Sequence, residues 1–248
     1  MKILYKGTTA YMIGDKFAVL DNLSDNTWAQ IKARINNGTA NAKWLGQTKA
    51  VTLTNNRTLT FKCVDNTYGR YQFADGTYST LVFMAMGSVP DILNAISVSA
   101  SATSKTYNEA SQIGICNNSF LNYNCNDNDL KSVLKETNVK CAGYTQEGYA
   151  DYDNLLEATG KIFNPSVAEV KGLGSGYSAY KETESALDST LLGNYTGLTS
   201  VPTIAHRYYT RTLATYSSNL WYAVETSGSL STIAGTTSVT GLCLAFAL

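Results

Sequence analysis

The sequence predicts an α+β fold, rich in β-structure, with short helices and a small N-terminal β extension. Three observations predict it. Runs of four to eight residues with apolar alternation recur at both ends of the chain, bounded by Asn, Asp and Gly turns. Helical spacing is confined to a few short stretches. No internal repeat of 20–50 residues is evident, which excludes a solenoid or propeller array.

The elements follow in order. Ile3-Leu4-Tyr5 and Phe17-Ala18-Val19-Leu20 read as short strands around Gly7 and Gly14-Asp15. A short helix follows, with Ser24 or Asp25 as its cap and Trp28, Ile31 and Ile35 at helical spacing; Asn36-Asn37-Gly38 stops it. Val51-Thr52-Leu53-Thr54 and Thr58-Leu59-Thr60-Phe61-Lys62-Cys63-Val64 flank Asn55-Asn56, a strong hairpin signal. Tyr71-Gln72-Phe73 and Thr80 to Met86 are two further strands around the Asp75-Gly76 turn.

The middle reads as more helical. Pro90 to Ile96 starts with Pro at a first helical position. Asp127 or Asn128 caps Leu130 to Glu136, Tyr152 to Ala158 is a further short helix, and 107–122 fits either state. Beyond residue 161 the texture changes. Gly172, Gly174 and Gly176 crowd one loop, and Arg207 to Arg211, Leu220 to Val224 and Gly241 to Leu248 read as strands, with a turn at Ser227-Gly228-Ser229.

Composition narrows the function. Charged residues make up 15% of the 248 residues, against roughly 25% in ordinary soluble domains. Lys+Arg and Asp+Glu are both 19, so formal net charge is zero. That argues against nucleic acid and against an anionic membrane face as partners. Weak charge also favours association, which fits a homotrimer or a ring. The 17 Tyr and 19 Gly, with abundant Ser, Thr and Asn, are what binding loops use, although a turn-rich β protein has a similar composition. No run of 18 apolar residues is present, and the N-terminus shows no secretory h-region. The five Cys form no C-x-x-C pair, so structural zinc and a disulfide framework are not expected; a reduced cytosolic chain is.

Trp28 ahead of a short helix, Trp44-Leu45-Gly46-Gln47-Thr48-Lys49 leading into a hairpin, Phe163-Asn164-Pro165-Ser166-Val167-Ala168-Glu169-Val170, Tyr208-Tyr209-Thr210-Arg211-Thr212, Leu220-Trp221-Tyr222-Ala223-Val224 and the ending Gly241 to Leu248 occur in that order. This order resembles the domain-of-unknown-function family DUF6273 of phage and Firmicutes proteins. The ending also resembles the C-type-lectin-like fold of formylglycine-generating-enzyme-like domains and retroelement variable proteins. Leu213 and Cys243-Leu244 depart from the family's Pro and Arg-Pro, which marks a diverged member. The resemblance implies a C-type-lectin-like domain over 23–248, with a hairpin-rich part at 44–86, a helical middle at 90–160 and a C-terminal display region at 161–248; residues 1–22 form an attachment segment. It implies a virion structural protein assembled in the host cytoplasm. The first expectation is a non-catalytic fibre or adhesin that meets a host glycan or protein. The alternatives are a head or tail decoration or adaptor protein, which holds other virion proteins and copies of itself, and an enzyme derived from the same fold.

His206 is the single His, and no G-x-S-x-G accompanies it, so a packing or surface role is expected over a triad with Asp188 or Glu225. The active-site Cys pair of formylglycine-generating enzymes has no counterpart here, and Cys243 is expected to be a buried thiol. Asn124 to Asp129 lacks the Gly and closing Glu of a calcium loop and reads as turns and caps, so no metal or cofactor is expected. Arg211, in a partly buried strand, requires a carboxylate, and Glu169 is the candidate partner of a structural core pair. Tyr177, Tyr180, Tyr195, Tyr216 and Trp221 are the candidate exposed aromatics for binding. Trp221 and Tyr222 point to opposite faces of one strand.

Overall fold

A computed structural model of the chain describes residues 2–6, 9–13, 21–40, 42–54, 56–86, 106–107, 111–144, 150–171, 208–213, 220–225, 229–234 and 241–248. Among them strands dominate over a few short helices, which is the β-rich α+β architecture expected.

The N-terminal strands β1 (Lys2–Lys6) and β2 (Thr9–Ile13) form an antiparallel hairpin. The expected strand at Phe17–Leu20 lies outside the described residues. Helix α1 (Trp28–Asn36) is capped by Thr27 rather than by Ser24 or Asp25. The Thr27 hydroxyl accepts from Gln30 N at 3.1 Å, and the Gln30 side chain accepts from Thr27 N at 2.6 Å. Thr27 wins because Thr-x-x-Gln satisfies two orphan N–H groups reciprocally. Gly38, at φ +65°, ends the helix: Thr39 N bonds Arg34 O and Gly38 N bonds Ile35 O, both at 2.9 Å. Trp28 and Ile31 point inward.

The first sheet has the order β12-β5-β4-β3, all antiparallel, from β3 (Thr48–Thr52), β4 (Thr58–Asp65), β5 (Val82–Ala85) and β12 (Ala245–Ala247). The predicted hairpin is β3–β4. Residues 71–73 make only isolated bridges, Gln72 to Tyr78 and Phe73 to Thr137. On the far side of β12, Ala245 and Phe163 exchange backbone hydrogen bonds of 2.8 and 2.9 Å, so the terminal strand is covered on both edges. Its Phe246 stacks on Phe83 at 5.0 Å and 16°, and meets Phe61 at 5.0 Å and Trp28 at 5.5 Å. This aromatic cluster is the centre of the core.

The second sheet has the order β10-β9-β8-β11, from β8 (Tyr208–Leu213), β9 (Leu220–Val224), β10 (Leu230–Ala234) and β11 (Gly241–Leu242), with β11 parallel to β8. Glu225 N bonds Ser229 O at 2.8 Å across the turn expected at 227–229.

The middle departs from expectation. The helix expected at Pro90–Ile96 lies outside the described residues. Residues 111–124 are helical: α2 (Ser111–Gly114) runs into a π-helix, Ile115–Asn124. Helix α3 (Asn128–Val133) is capped by Asp127, as expected. Tyr152–Ala158, however, is strand. It lies inside β7 (Ala150–Gly160), which pairs with β6 (Thr137–Tyr144) on either side of an irregularity at 152–154, so the middle is not uniformly helical. Leu155, Leu156, Glu157 and Ala158 are good helix formers, but Ala142, Cys141, Lys140 and Val139 stand opposite them and supply a ladder. Tertiary pairing overrides a weak local preference.

Gln112 is wholly buried, and among the described residues its carboxamide has no hydrogen-bond partner. A buried amide left unsatisfied costs about 1–3 kcal/mol. Gln112→Met, which keeps the shape and removes the amide, is therefore expected to stabilise the protein, raising the thermal midpoint by about 2–4 °C per kcal/mol. A lowered midpoint in differential scanning calorimetry would contradict this.

Candidate functional site

The most elaborate polar site is built where the segment 163–171 meets β8. Ser166-Val167-Ala168-Glu169 carries the S-x-x-E cap signature at the start of α4 (Val167–Lys171). Glu169 N bonds the Ser166 hydroxyl at 3.1 Å, and the Glu169 carboxylate accepts from Ser166 N at 2.8 Å. The same carboxylate accepts two hydrogen bonds from the Arg211 guanidinium, at 2.6 and 2.5 Å, and one from the Tyr71 hydroxyl at 2.5 Å. Arg211 reaches it because a register irregularity between Tyr209 and Leu213 breaks the β8–β9 ladder. There the backbone turns away, Arg211 N bonds Pro165 O at 3.0 Å, and the Thr212 hydroxyl accepts from Val167 N at 2.9 Å. Bulges commonly re-aim a side chain in this way.

Two further guanidinium donors are used as well. Arg211 Nε bonds Lys140 O and Nη1 bonds Asn164 O, each at 2.9 Å, and the Phe163 ring lies under the guanidinium. Both partners of the pair are fully enclosed. Burial alone would push the Glu169 carboxyl up, but Arg211 and the hydrogen bonds from Arg211, Tyr71 and Ser166 outweigh it and hold the group below the usual carboxylate range. Burial, with Glu169 close by, pushes the Tyr71 phenol well above its ordinary value, so it stays a donor.

Arg211 and Glu169, singled out from the sequence, are thus brought together. The pair also ties the two ends of one long segment. Residues 172–207 leave from α4 and return into β8, and the contacts just described pin their departure and arrival to each other. Tyr177, Tyr180, Tyr195 and Tyr216, like His206, lie outside the described residues. Trp221 is corrected: only 2% of it is exposed, and it offers no face to a ligand. It sits in β9 between β8 and β10, opposite Leu213 and Ile233, with the Tyr107 ring at 6.4 Å. Tyr222 is half-buried, as alternation requires.

Sequence reasoning missed a second enclosed ion pair, Arg70 with Asp65. The Asp65 carboxylate also accepts from Thr67 N at 3.0 Å and the Thr67 hydroxyl at 2.8 Å. The Asp-x-Thr spacing was the available signal for that turn. In the same stretch of chain, Tyr68 and Tyr78 form an exposed pair with ring centroids 6.0 Å apart.

The acidic run at 124–129 serves caps. Asp127 caps α3 and accepts from the Trp28 indole at 3.2 Å, while Asp129 accepts from the first backbone N–H groups of α1. No metal-ligating cluster occurs among the described residues. All five cysteines are buried and none forms a disulfide; burial pushes the Cys63 and Cys243 thiols up to about 12 and raises those of Cys116 and Cys125. Thiols so raised are poor nucleophiles at neutral pH.

No protein-family model, curated protein or solved structure matches this chain.

Proposed function

We propose that this chain is a non-catalytic structural protein of a bacteriophage virion, of the fibre or adhesin type, in which a C-type-lectin-like scaffold displays a binding surface to a host glycan or protein. The observation that carries the reading is the buried Glu169–Arg211 clamp at the base of residues 172–207. A segment whose two ends are locked together by the scaffold can vary in sequence without disturbing the core, which is what a display loop requires. Its own sequence, with Tyr177, Tyr180 and Tyr195 among Ser, Gly and Thr, is of binding-loop composition. The raised thiols fit a scaffold role rather than covalent catalysis. Other virion proteins and further copies of this chain, as a homotrimer or ring, are its partners in the particle.

The test is to replace residues 175–204 with a short Gly-Ser linker. The variant is expected to fold with an unchanged or slightly higher thermal midpoint, since shortening a loop lowers its closure entropy. It is expected to lose adsorption to Firmicutes cell envelopes. Undiminished adsorption would reject the display reading, and so would failure to fold, because the segment would then belong to the core.

A further inference from the structure

A groove of roughly 400 Å³ lies between the α2/π-helix and the Thr137/Gly160 end of the β6–β7 pair, and neither Glu169 nor Arg211 lines it. Its floor is rigid. Gly160 touches the helix so closely that a Cβ there would stand 2.6 Å from the Asn117 amide nitrogen. The Asn117 carboxamide donates to Ile113 O at 2.8 Å and Ile162 O at 2.9 Å, and accepts from Lys161 N at 2.8 Å and Ile162 N at 3.1 Å. All four of its hydrogen-bonding positions are used, so Asn117 is a positioning residue. The wider turn of a π-helix is rare and is found disproportionately at functional sites.

The rim carries Asn122, Glu136, Thr159 and Lys161, and Ile113 and Leu121 supply an apolar strip. Among the described residues no ion pair or side-chain hydrogen bond engages the charged groups of Glu136 or Lys161. The Thr159 hydroxyl donates to Asn138 at 3.0 Å, which leaves its lone pairs free. Glu136 and Lys161 carry opposite charges, so the rim has no net sign that would draw in a free anion or a free cation. Glu136 is exposed and Lys161 half-exposed, so water screens both, and they are weak as charges yet serviceable as acceptor and donor. One acceptor-only group, one donor-only group, a carboxamide and an apolar strip match a neutral ring that bears hydroxyls on its edge and C–H groups on its face.

We propose that this groove binds a neutral pyranose unit of an oligosaccharide, at a site independent of residues 172–207. Gly114 provides a clean test. It is helical, at φ −61° and ψ −40°, lines the groove, and a Cβ there meets nothing within 4 Å, so Gly114→Trp adds bulk at the groove wall without a clash at the Cβ. The intact chain is screened on an array of neutral hexose and N-acetylhexosamine oligosaccharides, and the best-retained one is titrated calorimetrically. Gly114→Trp is expected to weaken binding at least about tenfold while holding or raising the thermal midpoint, because a helix interior disfavours Gly. Glu136→Gln and Lys161→Met are each expected to weaken it at least about threefold, and the linker variant lacking 175–204 is expected to bind as the parent does. Absence of any retained sugar, an affinity unmoved by Gly114→Trp, or competition by free amino acids as zwitterions would overturn the proposal. Loss of sugar binding in the linker variant alone would instead place that ligand on the display segment.

Discussion

Arg211→Met is expected to destabilise the protein by about 3–5 kcal/mol, the cost of leaving a buried charge without its partner. The Glu169 carboxylate would keep only Tyr71 and Ser166 as donors, inside a site that water does not reach. Lys140 O and Asn164 O would lose their donor as well. Urea unfolding of Arg211→Met, Glu169→Met and the double variant would measure this. The double variant is expected to be less impaired than the sum of the singles, since removing both charges leaves neither orphaned. A single-variant cost below about 1 kcal/mol would show that the clamp does not hold the base of 172–207.

The same site fixes a pH dependence. The Glu169 pKa is lowered in the folded chain, so the ion pair contributes fully above the ordinary glutamate value of about 4.3 and is lost as pH falls below it through the lowered folded value. Glu169→Gln should flatten that acid limb. The Tyr71 pKa is raised, so its contribution is full below its ordinary value of about 10 and is lost as pH rises beyond it.

Phe246→Ala is the second large effect, expected at about 3–5 kcal/mol. The ring is fully buried and is in contact with Phe83, Phe61 and Trp28, so truncation opens a cavity among three large rings and forfeits their edge and face contacts. The damage extends beyond the ring, because β12 joins β5 on one side and Phe163 on the other. Phe246→Leu, closer in volume, should cost markedly less. A denaturant midpoint unchanged in Phe246→Ala would mean that the terminal strand is not part of the core.

Reading the chain residue by residue recovered what is encoded within a few positions. Helix α1 with its Asn36-Asn37-Gly38 stop, the β3–β4 hairpin and the Asp127 cap were all legible, because each is signalled by a short local pattern of cap or turn residues beside an apolar period. Arg211 and Glu169 were legible for another reason: a guanidinium among apolar strand residues demands a carboxylate, and the family resemblance singled out Glu169, because both residues lie in the segments that carry it. Local pattern could not choose between helix and strand at Tyr152–Ala158, where β6 decides, nor choose which of Trp221 and Tyr222 faces inward, where β8 and β10 decide. The irregularity that aims Arg211 at a partner 42 residues away and the Gly160 approach that shapes the groove arise from surfaces meeting in three dimensions. Propensity and capping energies of about 1 kcal/mol specify the elements. Desolvation of whole side chains, several times larger, selects how they pack, and that selection depends on neighbours distant in the sequence.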